Sequence, residues 1–307
     1  MKHPQESMQS DRAGLLYALA GFCLLSLGDA IIKGIADQWT PPAVAAFRYV
    51  LGAIGLSAIL FAREGSAPFT SIPKLRVQLL RGAAVATATL AFFGSIWLMP
   101  LADAVAITFT QPMFTALLAA LFLGERLRWA TVAATLVAFV GVLIILRPNF
   151  AAIGVAALLP LLSALAMAVL MTANRAVRGV GSVLAAQAYV ACGGALVLML
   201  AAGAGAASGD PRFALYWPEW HVLARVAFVA CSATAAHWLV FKGTERAGAA
   251  TVAPMTYGQL LVATSLAWVF FDEAPDAIAM LGAALIVGSG LWLWWRGRAK
   301  DLSGSTR

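Results

Sequence analysis

The chain alternates long apolar runs with short breaks of charge, proline or glycine along its whole length. The runs are about 20 residues long, the length of α-helix that crosses the hydrocarbon core of a bilayer. They are apolar on every face, whereas a membrane β-barrel uses segments of about 10 residues with alternating polarity. We therefore predict an all-α membrane protein with ten transmembrane helices, over residues 14–36, 43–62, 78–98, 101–123, 129–146, 153–172, 183–202, 222–243, 249–271 and 278–295.

Composition supports this prediction, because 62% of the residues are hydrophobic and only 11% are charged. Such a chain needs the lipid bilayer as its solvent, since a water-soluble globule cannot hide that much apolar surface. The net charge is +7, but the basic residues lie between the apolar runs, so no nucleic-acid partner is expected. Cys23, Cys192 and Cys231 lie inside runs without metal-binding spacing. No disulfide, metal or cofactor is therefore expected.

The positions of the basic residues predict the orientation in the membrane. With the N-terminus inside, 16 of the 21 lysines and arginines fall on the inner side and Arg48 falls within a span. The four on the outer side are Lys33, Arg147, Arg212 and Arg225. This asymmetry follows the positive-inside rule and favours an even number of spans. We predict a multi-pass protein of a bacterial inner membrane with both termini in the cytoplasm and with the first span retained.

The two halves of the chain resemble each other in sequence. Residues 102–125 align with residues 250–273 without a gap, which pairs Gln111 with Gln259. Five helices per half is an odd number, so the two repeats must lie in opposite orientations. Inverted repeats of this kind typically enclose a substrate site near the middle of the membrane. The predicted divisions are an N-terminal tail (1–13), a first repeat (14–148), an inverted second repeat (149–296) and a C-terminal tail (297–307).

Short motifs along nearly the whole chain, from Gly14 to Arg296, resemble one family of membrane proteins. The motifs are residues 28–33 (GDAIIK), Phe47-Arg48, Arg81-Gly82, residues 100–104 (PLADA), Gln111-Pro112, residues 123–126 (LGER) and residues 141–148 (GVLIILRP). Taken together, they are similar to the EamA branch of the drug/metabolite transporter superfamily.

The resemblance implies ten helices in two inverted sets of five, with a central cavity lined by the first four helices of each set. It also implies a secondary transporter, and the family's substrates include amino acids, metallophores, vitamins, nucleoside-like compounds and drugs. We therefore expect an inner-membrane exporter of a small polar metabolite, working by alternating access. Asp29 stands where the family often has asparagine or serine, as in a subgroup that includes S-adenosylmethionine carriers. Uptake of a nucleoside- or vitamin-like metabolite is the alternative.

Three ionisable residues inside spans are candidates for coupling or gating. Asp29 and Lys33 lie one helical turn apart, acid first, which favours an ion pair with a structural or gating role. An ionisable group inside a membrane is costly and is a functional candidate by default, so Asp29 is also the first candidate for proton coupling. His237 is the second, because histidine exchanges protons near neutral pH, although it could instead be a hydrogen-bonded packing residue.

Arg48 and two glutamines are the main candidates for binding substrate. Arg48 lies within the second span, where a guanidinium needs a partner or a wet cavity. Asp29 is one possible partner, and a substrate carboxylate held by two parallel hydrogen bonds is the other. Gln111 and Gln259 occupy equivalent positions in the fourth and ninth spans. They could bind substrate from both sides of the pseudo-twofold axis or simply tie helices together.

Prolines and aromatic residues complete the predicted site. Pro112 and Pro254 lie near the two glutamines, and each frees a backbone carbonyl and favours a hinge. Glu125 and Glu273, which end the fourth and ninth spans, are expected to brace neighbouring loops. Aromatic side chains suited to line a cavity for apolar or cationic groups are Phe92, Phe93, Trp97, Tyr189, Trp238 and Tyr257.

Two other classes of protein fit the sequence less well than a carrier does. The acidic run 272–276 superficially resembles the magnesium-diphosphate motif of membrane prenyltransferases, but it occurs once and its repeat partner is no metal site. No protease, esterase or phosphate-loop motif supports an enzyme. A channel or scaffold fits less well than a carrier, because prolines and paired glutamines inside spans indicate moving parts. The expected partners are a small-molecule substrate and the bilayer, and a homodimer is left open.

Overall fold

The computed structural model describes residues 4–124, 129–177, 179–247 and 252–304, and all regular structure within them is helical. The longer helices are α1 (Pro4–Lys33), α2 (Pro41–Glu64), α3 (Leu75–Leu98), α4 (Leu101–Thr108), α5 (Gln111–Leu123), α6 (Trp129–Ile153), α7 (Leu159–Ala176), α8 (Val183–Ala207), α9 (Trp220–Ala247), α10 (Tyr257–Phe271) and α11 (Ala277–Gly304). Shorter pieces at Ala67–Thr70, Gly154–Leu158, Pro211–Phe213 and Ala253–Thr256 connect them.

Nine helical segments of the described residues are long and apolar enough to cross a membrane. They correspond to the first eight predicted spans and the tenth. The ninth predicted span is represented by Ala253–Thr256 and α10, and its first residues, 249–251, lie outside the described part of the chain. Several helices extend beyond the predicted runs, because hydropathy marks only the apolar part of a helix and α1 and α11 continue into polar sequence. The predicted all-α membrane fold is confirmed.

The two repeats pack through equivalent pairs of helices. The first helix of the first repeat, α1, packs on the third helix of the second repeat, α9. The exchanged pair, α7 against α3, is also in contact. The second helices of the two repeats, α2 and α8, pack on each other, and so do the fifth helices, α6 and α11. This reciprocal pattern is what a pseudo-twofold axis between inverted repeats produces.

Glycines let the helices of opposite repeats approach closely, as small residues do in membrane interfaces. Where α1 crosses α9, a Cβ on Gly243 would lie 2.7 Å from the carbonyl oxygen of Gly14. Where α6 crosses α11, a Cβ on Gly141 would lie 2.6 Å from the carbonyl oxygen of Gly282. Both distances are too short for any side chain, so glycine allows the backbones of the two repeats to touch at these crossings.

The fourth span of each repeat is interrupted. In the first repeat, α4 ends at Thr108 and α5 begins at Gln111, and the Thr110 hydroxyl donates to the Ile107 carbonyl at 2.8 Å. Pro112 at the start of α5 cannot donate a backbone hydrogen bond, which explains a break at this point. In the second repeat, the 3₁₀ turn Ala253–Thr256, which contains Pro254, precedes α10. Interrupted helices at equivalent places are the usual sign of a transport site nearby.

Candidate substrate site between the repeats

Asp29 lies against the ninth span, in the part of α1 that packs on α10. The Gln259 side-chain amide donates to Asp29 Oδ2 at 3.4 Å. One turn before Asp29, the Ser26 hydroxyl donates to the backbone carbonyl of Gln259 at 2.7 Å. Two residues that the sequence singled out separately, Asp29 and Gln259, are therefore partners across the two repeats.

Arg48 of α2 supplies a positive charge at the same site. Its guanidinium lies over the Phe93 ring at 5.6 Å and near the Tyr49 ring at 5.8 Å. Its charge is close enough to act on both Asp29 and His237. Within the described residues Arg48 forms neither a hydrogen bond nor an ion pair. A guanidinium held by aromatic faces keeps its donors available for a planar anion such as a carboxylate.

His237 lies on α9, near the middle of the span. The charge of Arg48 acts on His237 as it does on Asp29. Asp29, Arg48 and His237 thus bring charge or polarity from three helices of two repeats into one neighbourhood, which we call the polar region.

Phe93 supports the Arg48 guanidinium from a buried position. It is only 1% exposed, and its ring stacks with the Trp97 ring at 6.4 Å and lies 6.4 Å from the Phe92 ring. Tyr49, which is not among the predicted site residues, lies beside Arg48, and its hydroxyl accepts a hydrogen bond from Thr89 at 3.1 Å. The sequence feature that could have identified Tyr49 is its position directly after Arg48, because neighbouring side chains often pack on the stem of a buried arginine.

Other predicted site residues lie elsewhere. The Tyr189 hydroxyl donates to the Pro68 carbonyl at 2.6 Å, in the connection between α2 and α3. Gln111 lines a separate groove near Arg81, and Trp238 is 55% exposed. The Tyr257 ring lies 5.4 Å from the Phe109 ring, at the break in the fourth span. The structure therefore divides the predicted site among several locations.

Lys33 does not pair with Asp29, so that prediction was wrong. Its ammonium group instead forms an ion pair with Glu273 at 2.6 Å and donates to the Met99 carbonyl at 2.9 Å. The second carboxylate oxygen of Glu273 accepts from the Leu101 amide at 3.0 Å. We call this group of four residues the Lys33 bridge. It joins α1, the end of α3, the start of α4 and the end of α10, where Lys33 and Glu273 are largely shielded from solvent.

The acidic run at residues 272–276 serves structure. Glu273 belongs to the Lys33 bridge, and Asp276 Oδ1 accepts from the Ala279 amide at 2.6 Å at the start of α11. Asp272 ends α10 in the left-handed conformation, with φ of 55°. Among the described residues, no cluster of histidine, cysteine or acidic side chains could hold a metal ion. The repeat partner Glu125 lies outside the described residues.

Two inverted helical repeats around a polar region with interrupted helices define a membrane carrier. The EamA-like transporter family model matches residues 12–147 and again residues 154–295. The chain belongs to the EamA-like transporter family, as its motifs indicated, and is a small-molecule transporter rather than an enzyme.

Curated relatives transport different compounds. The chain is 26% identical to the S-adenosylmethionine uptake transporter of Rickettsia bellii, over 94% of this chain and 95% of that one. It is 32% identical to the riboflavin transporter of Rhizobium johnstonii, over 70% and 69%. It is 27% identical to the pseudopaline exporter CntI of Pseudomonas aeruginosa, over 90% and 94%. A solved crystal structure shares the fold, with a TM-score of 0.64 at 20% identity, covering 93% of this chain and 98% of the other.

Proposed function

We propose that the protein carries a small metabolite with a carboxylate group, such as an amino acid or an amino-acid-derived compound, by alternating access. The observation that carries this proposal is the environment of Arg48, a guanidinium inside a span with aromatic neighbours and no ion-pair partner among the described residues. A charge in such a place is costly unless something offsets it. A substrate carboxylate offsets it through two parallel hydrogen bonds.

The opposite charge of Asp29 shapes the rest of the substrate. Asp29 and the Gln259 amide face Arg48 across the polar region. A molecule with a carboxylate at one end and an amino group at the other satisfies both charges at once. The buried Phe93 ring packs on the Arg48 guanidinium and holds it in position. This arrangement favours a zwitterionic metabolite over an uncharged one.

The Lys33 bridge and the interrupted spans supply the moving parts. The bridge joins α1 to the end of α10 at one end of the molecule. Opening requires Lys33 and Glu273 to separate while the repeats rock about the breaks near Pro112 and Pro254. Substrate bound at Arg48 then reaches the opposite side.

We further propose that the protein lies in a bacterial inner membrane with both termini in the cytoplasm, so that the Lys33 bridge faces outward. The support is the asymmetry of the basic residues. Export is our first proposal for direction. Uptake is the alternative, favoured by the S-adenosylmethionine uptake transporters, which align with 94% of this chain.

Counterflow in proteoliposomes tests the proposed function. Metabolite profiling of cells with and without the protein would first select candidate substrates. Liposomes preloaded with unlabelled candidate should then transiently accumulate the labelled compound, and the initial rate should saturate with concentration. S-adenosylmethionine and an amino-acid mixture represent zwitterions, and riboflavin represents a substrate without a carboxylate. Everted and right-side-out vesicles report the direction.

Three results of this experiment would contradict the proposal. Flux that never saturates would indicate a channel. Counterflow of riboflavin with none of any carboxylate-bearing compound would remove the role of Arg48 as a carboxylate anchor. If none of the candidates selected from cells is transported, the proposal that the protein carries small metabolites is wrong.

The Lys33 bridge predicts non-additive effects of two substitutions. Lys33→Met and Glu273→Gln each remove the ion pair, and Glu273→Gln keeps an oxygen for the Leu101 amide. We expect each variant to lower the counterflow rate by at least about tenfold, since removing one partner of a shielded ion pair costs several kcal/mol and about 1.4 kcal/mol is a factor of ten. The double variant should be no worse than either single one, because contacting residues do not act independently.

Arg212→Gln is the matched control for the bridge. Arg212 forms an ion pair of the same length, 2.6 Å, with Asp210, but its side chain is 81% exposed. Solvent screens such pairs, so this variant should transport like the parent protein. Additive losses in the Lys33→Met and Glu273→Gln pair, or an equal loss in Arg212→Gln, would contradict a specific role for the bridge.

A further inference from the structure

A second polar region lies apart from Arg48. It is a groove of about 800 Å³ between α3, α5, α7 and α8, lined by residues that include Arg81, Gln111, Asn174 and Gln187. We call it the Arg81 groove. Its charged lining residues are Arg81 and Arg175, and none of the described residues that line it is acidic.

Arg81 is the charged centre of the groove. It is only 4% exposed. Its Nε donates to Asn174 Oδ1 at 2.7 Å, and its Nη1 donates to the Ala186 carbonyl at 3.3 Å and to the Gln78 side-chain oxygen. All three acceptors are neutral. Its Nη2 makes no hydrogen bond, and Arg81 forms no ion pair, with any described residue.

A buried guanidinium with only neutral partners lacks a counter-charge. Arginine stays protonated under all ordinary conditions, so it cannot avoid the cost by losing its proton. Three hydrogen bonds to uncharged acceptors hold the plane of the Arg81 guanidinium in one orientation, and Nη2 remains as a donor without a partner among the described residues. A pre-oriented cation with an unused donor beside an accessible groove is suited to bind an anion.

Two side-chain amides add further donors. Gln111 and Gln187 both line the groove, and neither side chain has a hydrogen bond to the described residues. Each amide offers two N–H groups. Together with Arg81 Nη2 they provide the neutral and charged donors that a carboxylate or phosphate oxygen accepts.

We infer that the Arg81 groove is an anion-binding site, where the carboxylate of the substrate docks at this end of the protein before it reaches Arg48. This inference rests on the proposed function only for the identity of the anion. It assigns Gln111 to recognition of substrate at the groove, away from its repeat partner Gln259. The headgroup of an acidic phospholipid has the same chemistry, and the experiment separates these two sources.

Charged thiol reagents measure the electrostatic preference of the groove directly. Thr115 lines the groove, so Thr115→Cys places one thiol there after Cys23, Cys192 and Cys231 are changed to alanine. The purified full-length protein in neutral detergent is treated with an anionic sulfonate or a cationic trimethylammonium methanethiosulfonate. The ratio of the two rates, normalised to 2-mercaptoethanol, should favour the anionic reagent by about tenfold, as expected for a nearby unscreened charge.

Substitutions at Arg81 test the source of that preference. Arg81→Lys keeps the charge and should keep most of the preference, whereas Arg81→Gln should remove most of it and leave only the contribution of Arg175. Should Arg81→Gln fail to purify as a monodisperse protein, protection of Thr115→Cys by succinate gives the same information in a folded protein. Two results would overturn the anion site. One is a normalised ratio of anionic to cationic modification rates of one or less in the Thr115→Cys protein that keeps Arg81. The other is an unchanged ratio when Arg81→Gln is added.

Lipid is separated from substrate by repeating the reaction in nanodiscs. Succinate that slows modification in detergent supports docking of a soluble carboxylate. Protection only by phosphatidylglycerol, compared with phosphatidylcholine, would overturn docking of substrate and assign the groove to lipid. None of these rates depends on transport, so a groove that attracts anions in a protein without counterflow would contradict the proposed function alone.

Discussion

Arg48→Gln is expected to lower the counterflow rate of a carboxylate-bearing substrate by roughly 100-fold at subsaturating concentration. Removing one partner of a buried, charge-assisted hydrogen-bonded pair costs roughly 2–5 kcal/mol, and each 1.4 kcal/mol is about a factor of ten. Glutamine retains a polar side chain of similar reach but loses the charge and the paired donors. The loss should appear mainly in KM if Arg48 binds the substrate equally in every state of the cycle.

Arg48→Lys and Arg147→Gln are the controls for this substitution. Lysine keeps the charge but cannot offer the two parallel donors, so an intermediate loss is expected. Arg147 is an exposed arginine near the end of α6, and its replacement should leave transport unchanged. Size-exclusion profiles show whether each variant is folded. If a folded Arg48→Gln protein keeps the KM and rate of the parent protein, Arg48 does not bind the carboxylate of the substrate.

The helices and their inverted repetition could be predicted from the sequence because the bilayer imposes strong rules. Backbone groups in hydrocarbon must bond within their own helix, so each span appears as a long apolar run. The pairing of Gln111 with Gln259 in the alignment marked the repeat in the same way. The apolar runs and the alignment of the two halves can both be read from the sequence, because neither depends on how each helix is rotated about its axis.

Partners across helices could not be predicted, because they depend on the rotation and ends of each helix. Spacing along α1 favoured an ion pair between Asp29 and Lys33, but Lys33 contacts Glu273 at the far end of the chain's ninth span. That contact depends on α10 ending at Phe271, where Asp272 turns with φ of 55°. Tyr189 likewise bonds to Pro68 rather than lining the polar region, since its direction follows from the rotation of α8.

Asp29→Asn is expected to abolish accumulation driven by a proton gradient while retaining saturable counterflow. A carboxylate between two repeats can bind a proton in one state of the cycle and release it in the other. Asparagine has nearly the same shape and can still accept from the Gln259 amide, which now bonds to Asp29 Oδ2 at 3.4 Å. The variant loses the exchangeable proton and also the negative charge that balances an amino group, so the KM for zwitterions should rise.

Proteoliposomes with an imposed pH difference and a clamped membrane potential measure this effect. For one proton per substrate, a difference of one pH unit supports about tenfold accumulation, because one unit corresponds to 1.36 kcal/mol. The parent protein should approach that value, and Asp29→Asn should reach only equal concentrations on both sides. Asp37→Asn is the control, because Asp37 is an exposed carboxylate just beyond the end of α1.

Accumulation by Asp29→Asn equal to that of the parent protein would exclude Asp29 from coupling. His237 would then be the next residue to test, since the charge of Arg48 reaches it across the same polar region. A parent protein that exchanges substrate but never accumulates it under a pH difference would indicate transport driven by the substrate's own gradient. In that case Asp29 would act only on the amino group of the substrate, and Asp29→Asn should raise KM for zwitterions more than for simple carboxylates.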